Sequence, residues 1–307
     1  MLIELVLLAV GIGFLVKGSD LLVDAAEKLA VAAGVPVMII GLTVVAAGTS
    51  VPELVVDVGA VLSGVGEIAL GDIVGSNIAD ICLVLGAAAL ASPIKVHPST
   101  ARRDIPLIFV VAVLFLALAL DGTLSRLDGA ILLAAAAGYF FLVLRNLRKR
   151  GDGVVEPRRP GLRDLAMLGA GVAAVVIGAR VTVDAAVGLA VAFGVQPYLI
   201  ALTLIAIGTS LPELATSLAA SRRGSGDLIL GNNLGSFCFN ALFIGGLCAV
   251  ISPISVPGVF DIVVMTIAAA LLVPLVLRGH VLDRQEGIFL LAFYATYIGY
   301  KALTIGG

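Results

Sequence analysis

The chain has 307 residues, 60% of them hydrophobic and only 13% charged, with a mean hydropathy of +1.16. Soluble proteins are about 45–50% apolar and about 25% charged, so this chain has too few charges to coat a surface in water. A cytosolic enzyme, a disordered chain and a nucleic-acid binder are excluded, which leaves an all-α polytopic protein of the lipid bilayer.

A hydrocarbon core of about 30 Å takes about 20 helical residues to cross. Apolar runs of that order fall near 2–31, 36–62, 68–91, 104–120 and 126–147, then near 164–191, 196–220, 228–251, 260–277 and 285–304. The N-terminus lacks the basic stretch of a cleaved signal peptide and reads as a retained first span. Between the two groups of five lies a short connector, 148–163, rich in Arg, Lys, Gly and Pro. The predicted organisation is a first five-helix repeat (1–147), a basic connector (148–163) and a second five-helix repeat (164–307).

The repeat is explicit in the residues. Thr43 to Leu54 (TVVAAGTSVPEL) recurs as Thr203 to Leu214 (TLIAIGTSLPEL), an offset of 160. At the same offset Gly71 matches Gly231, Gly75-Ser76 matches Gly235-Ser236, and Ser92-Pro93-Ile94 matches Ser252-Pro253-Ile254. Two copies with an odd number of spans must cross the membrane in opposite senses, which predicts ten transmembrane helices in two inverted-topology repeats. Basic residues give an independent orientation. With the N-terminus outside, fifteen of them lie inside: Lys28, Lys95, Arg102, Arg103, seven around the connector, Arg222, Arg223, Arg278 and Arg284. Only Arg126 and Lys301 lie outside. This asymmetry predicts a multi-pass protein of the cell membrane with both termini outside and the connector inside. Lys17 and Arg180 fall within spans, where Asp20 and Asp184 are in pairing range.

Acidic side chains in mid-membrane are costly and mark function. Glu53 and Glu213 lie in the second span of each half, and Asp80 in the third span of the first half; the repeat mate of Asp80 is Asn240. Inverted symmetry brings these four together at one midplane centre, with no Lys or Arg placed to neutralise them. Each Glu follows Gly-Thr-Ser-x-Pro. Proline lacks an amide hydrogen and suits the first turn of a helix after a break. The break is expected to free carbonyls around Ala46, Ala47, Ala206 and Ile207, which membranes tolerate only in protein or along a wet cavity. Thr49, Ser50, Thr209 and Ser210 add hydroxyls, and Ser76 and Ser236 lie one turn before Asp80 and Asn240 on the same helix faces. Asp57, one turn beyond Glu53, and Asp72 have uncharged mates, Ser217 and Asn232, and are expected to serve ion access.

An all-oxygen site suits hard cations, Ca²⁺ and Na⁺; transition metals favour His, Cys or Met, and none lies near the motif. Cys82, Cys238 and Cys248 are expected to fill apolar space, and His97 and His280 to sit in loops. Three acids carry up to −3: one Ca²⁺ leaves −1, three Na⁺ reach neutrality, and burying uncompensated charge is expensive. Occupancy by calcium or by sodium, and not by both fully, follows as an exclusion rule.

The motifs GTSVPE (48–53) with GDIVGSNIAD (71–80), and GTSLPE (208–213) with GNNLGSFCFN (231–240), resemble the paired alpha repeats of the sodium/calcium exchangers, in the calcium/cation antiporter superfamily. The resemblance spans essentially the whole chain. It implies ten helices with broken helices at a central site, alternating access, exchange of one Ca²⁺ for about three Na⁺, no enzyme activity and no cofactor. It implies Glu53 and Glu213 as the central calcium-binding acids, with Thr49, Ser50, Ser76, Asp80, Thr209, Ser210, Ser236 and Asn240 completing the calcium and sodium sites. In the archaeal pattern the first repeat ends in Asn and the second in Asp; here the order is reversed, which mirrors the side-chain set. A calcium/proton antiporter and a potassium-dependent exchanger stay open as alternatives. The proton branch resembles Gly-Asn-x-x-Glu at the motif, whereas both copies here read Gly-Thr-Ser-x-Pro-Glu. An intramembrane aspartyl protease and an ion channel are further classes, disfavoured by the Glu residues and by the merely twofold repeat. The transport unit is expected to be a monomer.

Overall fold

The computed structural model describes residues 2–146, 160–193 and 208–305. Most of the connector, and the upstream part of the second half's second span with Ala206 and Ile207, lie outside the described residues. The described chain is almost entirely helical. Six of its helices are long and apolar enough to cross a membrane, or seven if a pair bent by 46° counts as one span.

In chain order the helices begin with α1 (Leu2–Ala33), the bent pair, and a helix from Gly66 to Ala91. The bent pair comprises α2 (Val37–Ile40), a π-helical turn (Gly41–Val45), α3 (Ala46–Thr49) and α4 (Val51–Leu62). The Gly66 helix consists of α5 (Gly66–Ala79), a π turn (Asp80–Val84) and α6 (Leu85–Ala91). Then follow α7 (Ile105–Ala119), α8 (Arg126–Asn146), α9 (Leu162–Ala192) and α10 (Leu211–Arg222). The last four are α11 (Gly226–Cys238), its π turn (Phe239–Ile244) and α12 (Gly245–Ile251), then α13 (Phe260–Leu277) and α14 (Arg284–Ile305).

The polarity is reversed relative to a soluble fold. Leu5, Val10, Phe14, Val110 and Phe141 are exposed, while Glu53, Asp57, Asp80, Glu213 and Asn240 are buried. Lipid accepts the apolar outer face, and a charged interior is tolerated only where it does something. The three cysteines are free and buried, as space-filling predicts. His97 lies in a loop, exposed, and His280 takes a positive φ of 54° in the tight turn before residues 281–282.

The repeat mates occupy related environments. α1 and α9 run antiparallel. A Cβ added at Gly11 falls 2.7 Å from the Thr182 amide nitrogen, one at Gly18 falls 2.9 Å from that of Val175, and one at Gly171 falls 2.7 Å from Leu22 Cα. Gly11 and Gly171 are mates, as are Gly18 and Gly178, so each helix uses the same small residues to admit the other's backbone.

Four two-residue strands, which the apolar pattern does not announce, tie the halves together at opposite ends. β1 (Ile94–Lys95) pairs antiparallel with β4 (Val281–Leu282), matching Ile94 to Leu282. β2 (Thr123–Leu124) pairs with β3 (Ile254–Ser255), matching Leu124 to Ile254. Each half therefore lends a strand after its third span to the strand before its partner's fifth. A Cβ at Gly226 would touch the Lys95 carbonyl at 3.1 Å, which puts the loop after α10 on the β1–β4 side. Gly66 faces Ile254 on the other side.

Of the two predicted intrahelical pairs, Arg180 meets Asp184 at 3.0 Å. Asp20 is instead reached by Arg222 at 3.6 Å, and Asp24 by Lys28 at 2.6 Å and Arg223 at 3.7 Å.

Candidate functional site

Each Gly-Thr-Ser-x-Pro-Glu copy forms a helix start. Ser50 leaves helical geometry with ψ near 12°, and Pro52 and Glu53 occupy the first turn of α4. Ser210 does the same with ψ near 5°, and Pro212 and Glu213 open α10. Proline fits there because the amides of a first turn have no helical acceptor. The positive end of each helix dipole therefore faces a glutamate carboxylate.

The break differs in detail from the sequence expectation. The Ala46 carbonyl is not freed: it accepts the Ser50 amide at 3.0 Å and the Thr49 hydroxyl at 3.3 Å. The carbonyl that loses its helical donor is that of Gly48, because Pro52, four residues on, has no N–H. The second interruption is the π turn at Gly41–Val45, upstream of the motif. Ala206 lies outside the described residues.

The other predicted residues converge. Glu53 lies close enough to Glu213, Asp72 and Asp80 to be repelled by all three, and Asp80 is similarly close to Glu213. The Ser50 hydroxyl donates to Glu213 Oε1 at 3.4 Å. Thr49 lies 3.2 Å from Asn232 Oδ1, and Ser76 lies 3.5 Å from Thr209 across the two halves. Thr209 donates to Asp72 Oδ1 at 3.2 Å. Asp80 and Asn240 sit at the start of the two π turns, at equivalent places. A π turn is a local widening that recurs at functional sites.

Glu53, Glu213, Asp80 and Asn240 are each 1% exposed. Among the described residues, one oxygen of each glutamate, both oxygens of Asp80, Asn240 Oδ1, and the hydroxyls of Ser210 and Ser236 have no hydrogen-bond partner. Buried polar atoms normally have one. This many oxygens turned to a common interior, without donors, is the chemistry of a hard-cation site. Among the described residues no three His, Cys, Asp or Glu side chains form a metal cage by themselves. Hydroxyl, amide and carbonyl oxygens must therefore complete any coordination shell.

Sequence reasoning missed several groups at this centre. Asn232 is drawn in by Thr49, and Asn233 donates to the Ser217 hydroxyl at 2.9 Å and to the Ile229 carbonyl at 2.8 Å. Thr216 is also buried, with a hydroxyl lacking a partner among the described residues. The available signal was an amide or hydroxyl close in sequence to a motif residue within an apolar run.

Comparison with known proteins agrees with this architecture. The family profile described as "Sodium/calcium exchanger protein" matches residues 3–145 and 164–303. The chain is 40% identical over 264 residues to the inner membrane protein YrbG of Escherichia coli (strain K12), covering 82% of this chain and 81% of that one. It is 31% identical to the sodium/calcium exchanger MaX1 of Methanosarcina acetivorans, over 96% of this chain and 97% of that one. A solved structure of the sodium-calcium exchanger NCX_Mj superposes with a TM-score of 0.87 at 31% identity, over 97% of this chain and 99% of the other. The chain belongs to the sodium/calcium exchanger protein family, and it is a multi-pass membrane transporter, not an enzyme.

Proposed function

We propose that this protein is a secondary active antiporter that exchanges Ca²⁺ for Na⁺ by alternating access at the central carboxylate site. The observation that carries the proposal is the pair Glu53 and Glu213. They are equivalent by repeat, buried, seated in the first turns of equivalent helices, and each has an oxygen without a donor among the described residues. Neither is ion-paired to a described Lys or Arg, so mobile cations supply the neutralising charge.

The remaining ligands in this reading are Asp80, Asn240, Thr49, Ser50, Ser76, Thr209, Ser210 and Ser236. With the bent pair counted as one span there are seven apolar helices, and α7, α10 and α14 bring the count in this reading to ten. The antiparallel α1–α9 pair and the exchanged strands support an inverted repeat with a pseudo-two-fold axis in the membrane plane. The distribution of basic residues supports a connector inside and both termini outside. Such symmetry lets one site face either side in turn, as antiport requires.

Sodium-gradient-driven ⁴⁵Ca²⁺ uptake into proteoliposomes is the direct test. Uptake that follows an outward Na⁺ gradient, and not an outward H⁺ or K⁺ gradient, supports the assignment; uptake that follows only the H⁺ gradient replaces it with calcium/proton antiport. A three-to-one stoichiometry moves one net charge per cycle. A membrane potential of about 100 mV is worth about 2.3 kcal/mol per elementary charge, which is about 50-fold in the equilibrium calcium ratio. Clamping vesicles with potassium and valinomycin should shift that ratio accordingly, and a ratio indifferent to voltage would exclude this stoichiometry.

A further inference from the structure

Asp57 and Asp72 form a tier of their own. Glu53 and Asp57 lie one turn apart on α4, and Asp72, Ser76 and Asp80 follow at four-residue steps along α5 and the start of its π turn, so each helix carries a column of oxygens. The α4–α5 hairpin packs the two helices together and makes Asp72 the charged neighbour of Asp57. One helical turn, about 6 Å, separates Asp57 from Glu53 along the helix. Asp57 is fully buried, and among the described residues neither of its carboxylate oxygens has a donor; Asp72 Oδ2 has none either. The described donor to the pair is the Thr209 hydroxyl, 3.2 Å from Asp72 Oδ1.

The other half shows what a closed version of this position looks like. Ser217 stands where Asp57 does, and its hydroxyl accepts a hydrogen bond of 2.9 Å from Asn233, next to the mate of Asp72. One repeat fills the position with a neutral amide-to-hydroxyl contact, whereas the other faces two carboxylates with no donor between them. A buried like-charged pair of this kind is relieved by a shared proton or by a cation between its members, and a cation also offsets the charge of the neighbouring central acids. A monovalent ion leaves one charge beside the three central acids, and a divalent ion neutralises the pair.

We propose that Asp57 and Asp72 form a second cation site that binds Ca²⁺, one helical turn from the central site and present in the first repeat only. It stages calcium between the central acids and the membrane face where α4 and α5 join. That role rests on the central site itself taking Ca²⁺.

Equilibrium dialysis of the purified full chain against ⁴⁵Ca²⁺ in sodium-free buffer separates the two claims. The unmodified protein should bind two Ca²⁺ per chain. The double variant Asp57→Ser with Asp72→Asn, which copies the residues of the other repeat, should bind one. So should Glu53→Gln with Glu213→Gln. Asp57→Asn alone, which preserves volume, should also bind one and guards against misfolding of the double variant. If the unmodified chain and the Asp57/Asp72 variants all bind one Ca²⁺, the second site is overturned and the central site stands. If the glutamate variant keeps two while the aspartate variants keep one, the second site stands and the central assignment falls. No binding by the unmodified chain overturns both.

Discussion

Glu53→Gln and Glu213→Gln should each reduce sodium-dependent calcium uptake in proteoliposomes by more than about 100-fold. Losing a supporting hydrogen bond near a metal already costs about 10–100-fold, and these changes remove a charged oxygen from the site itself. Each substitution is nearly isosteric and takes away one of the charges crowded around Asp80. The carboxylate has no ion-pair partner among the described residues to strand, and removing a buried unpaired charge relieves a cost. The variants should therefore fold, with thermal unfolding temperatures in detergent at or above that of the unmodified protein in calcium-free buffer. Wild-type uptake by both variants would remove the two glutamates from the centre. Low uptake together with a low unfolding temperature would mean that they hold the fold and do not bind the ion.

The location of these two residues was legible in the chain because the repeat is literal. A twelve-residue motif with one Pro and one Glu, returning 160 positions later, fixes helix starts and acids together, and the structure opens α4 and α10 where Pro52 and Pro212 require. Finer geometry was not legible. The π turns at Asp80 and Phe239 have no local signature of the proline kind. The same applies to the carbonyls: the sequence pointed to Ala46, but its partner at 3.0 Å is the amide of Ser50, because the helix runs one turn further before bending. The contact between Asp57 and Asp72 depends on the register of the α4–α5 hairpin, which the turn at 63–65 sets and apolar periodicity does not report. The paired strands at residues 94–95 and 281–282 are long-range contacts between two-residue segments, too short for any alternation to mark them.

Packing between the halves supplies the second large effect. Gly129 on α8 and Gly246 on α12 lie back to back: a Cβ at Gly129 would fall 2.7 Å from the Gly246 carbonyl oxygen and 2.8 Å from the Val250 amide nitrogen. Their repeat mates Gly287 and Gly86 show the same contact, with a Cβ at Gly287 falling 2.8 Å from the Gly86 carbonyl. The obstructing atoms are backbone, so no rotamer change relieves the clash, and the helices must separate along a tightly packed seam. Gly129→Ala should therefore destabilise the protein by about 1–3 kcal/mol, the usual cost of overpacking. Gly138, on the same helix, has room: a Cβ added there would meet nothing within 4 Å. At that position alanine only removes the flexibility penalty of glycine, so Gly138→Ala should be neutral or stabilising by up to about 1 kcal/mol. Thermal unfolding of the two variants in the same detergent reads the difference directly. Opposite signs at two glycines on α8 would assign the cost to the interface between repeats, since helix propensity is the same at both. Equal shifts would mean that the α8–α12 seam is looser than its backbone contacts indicate.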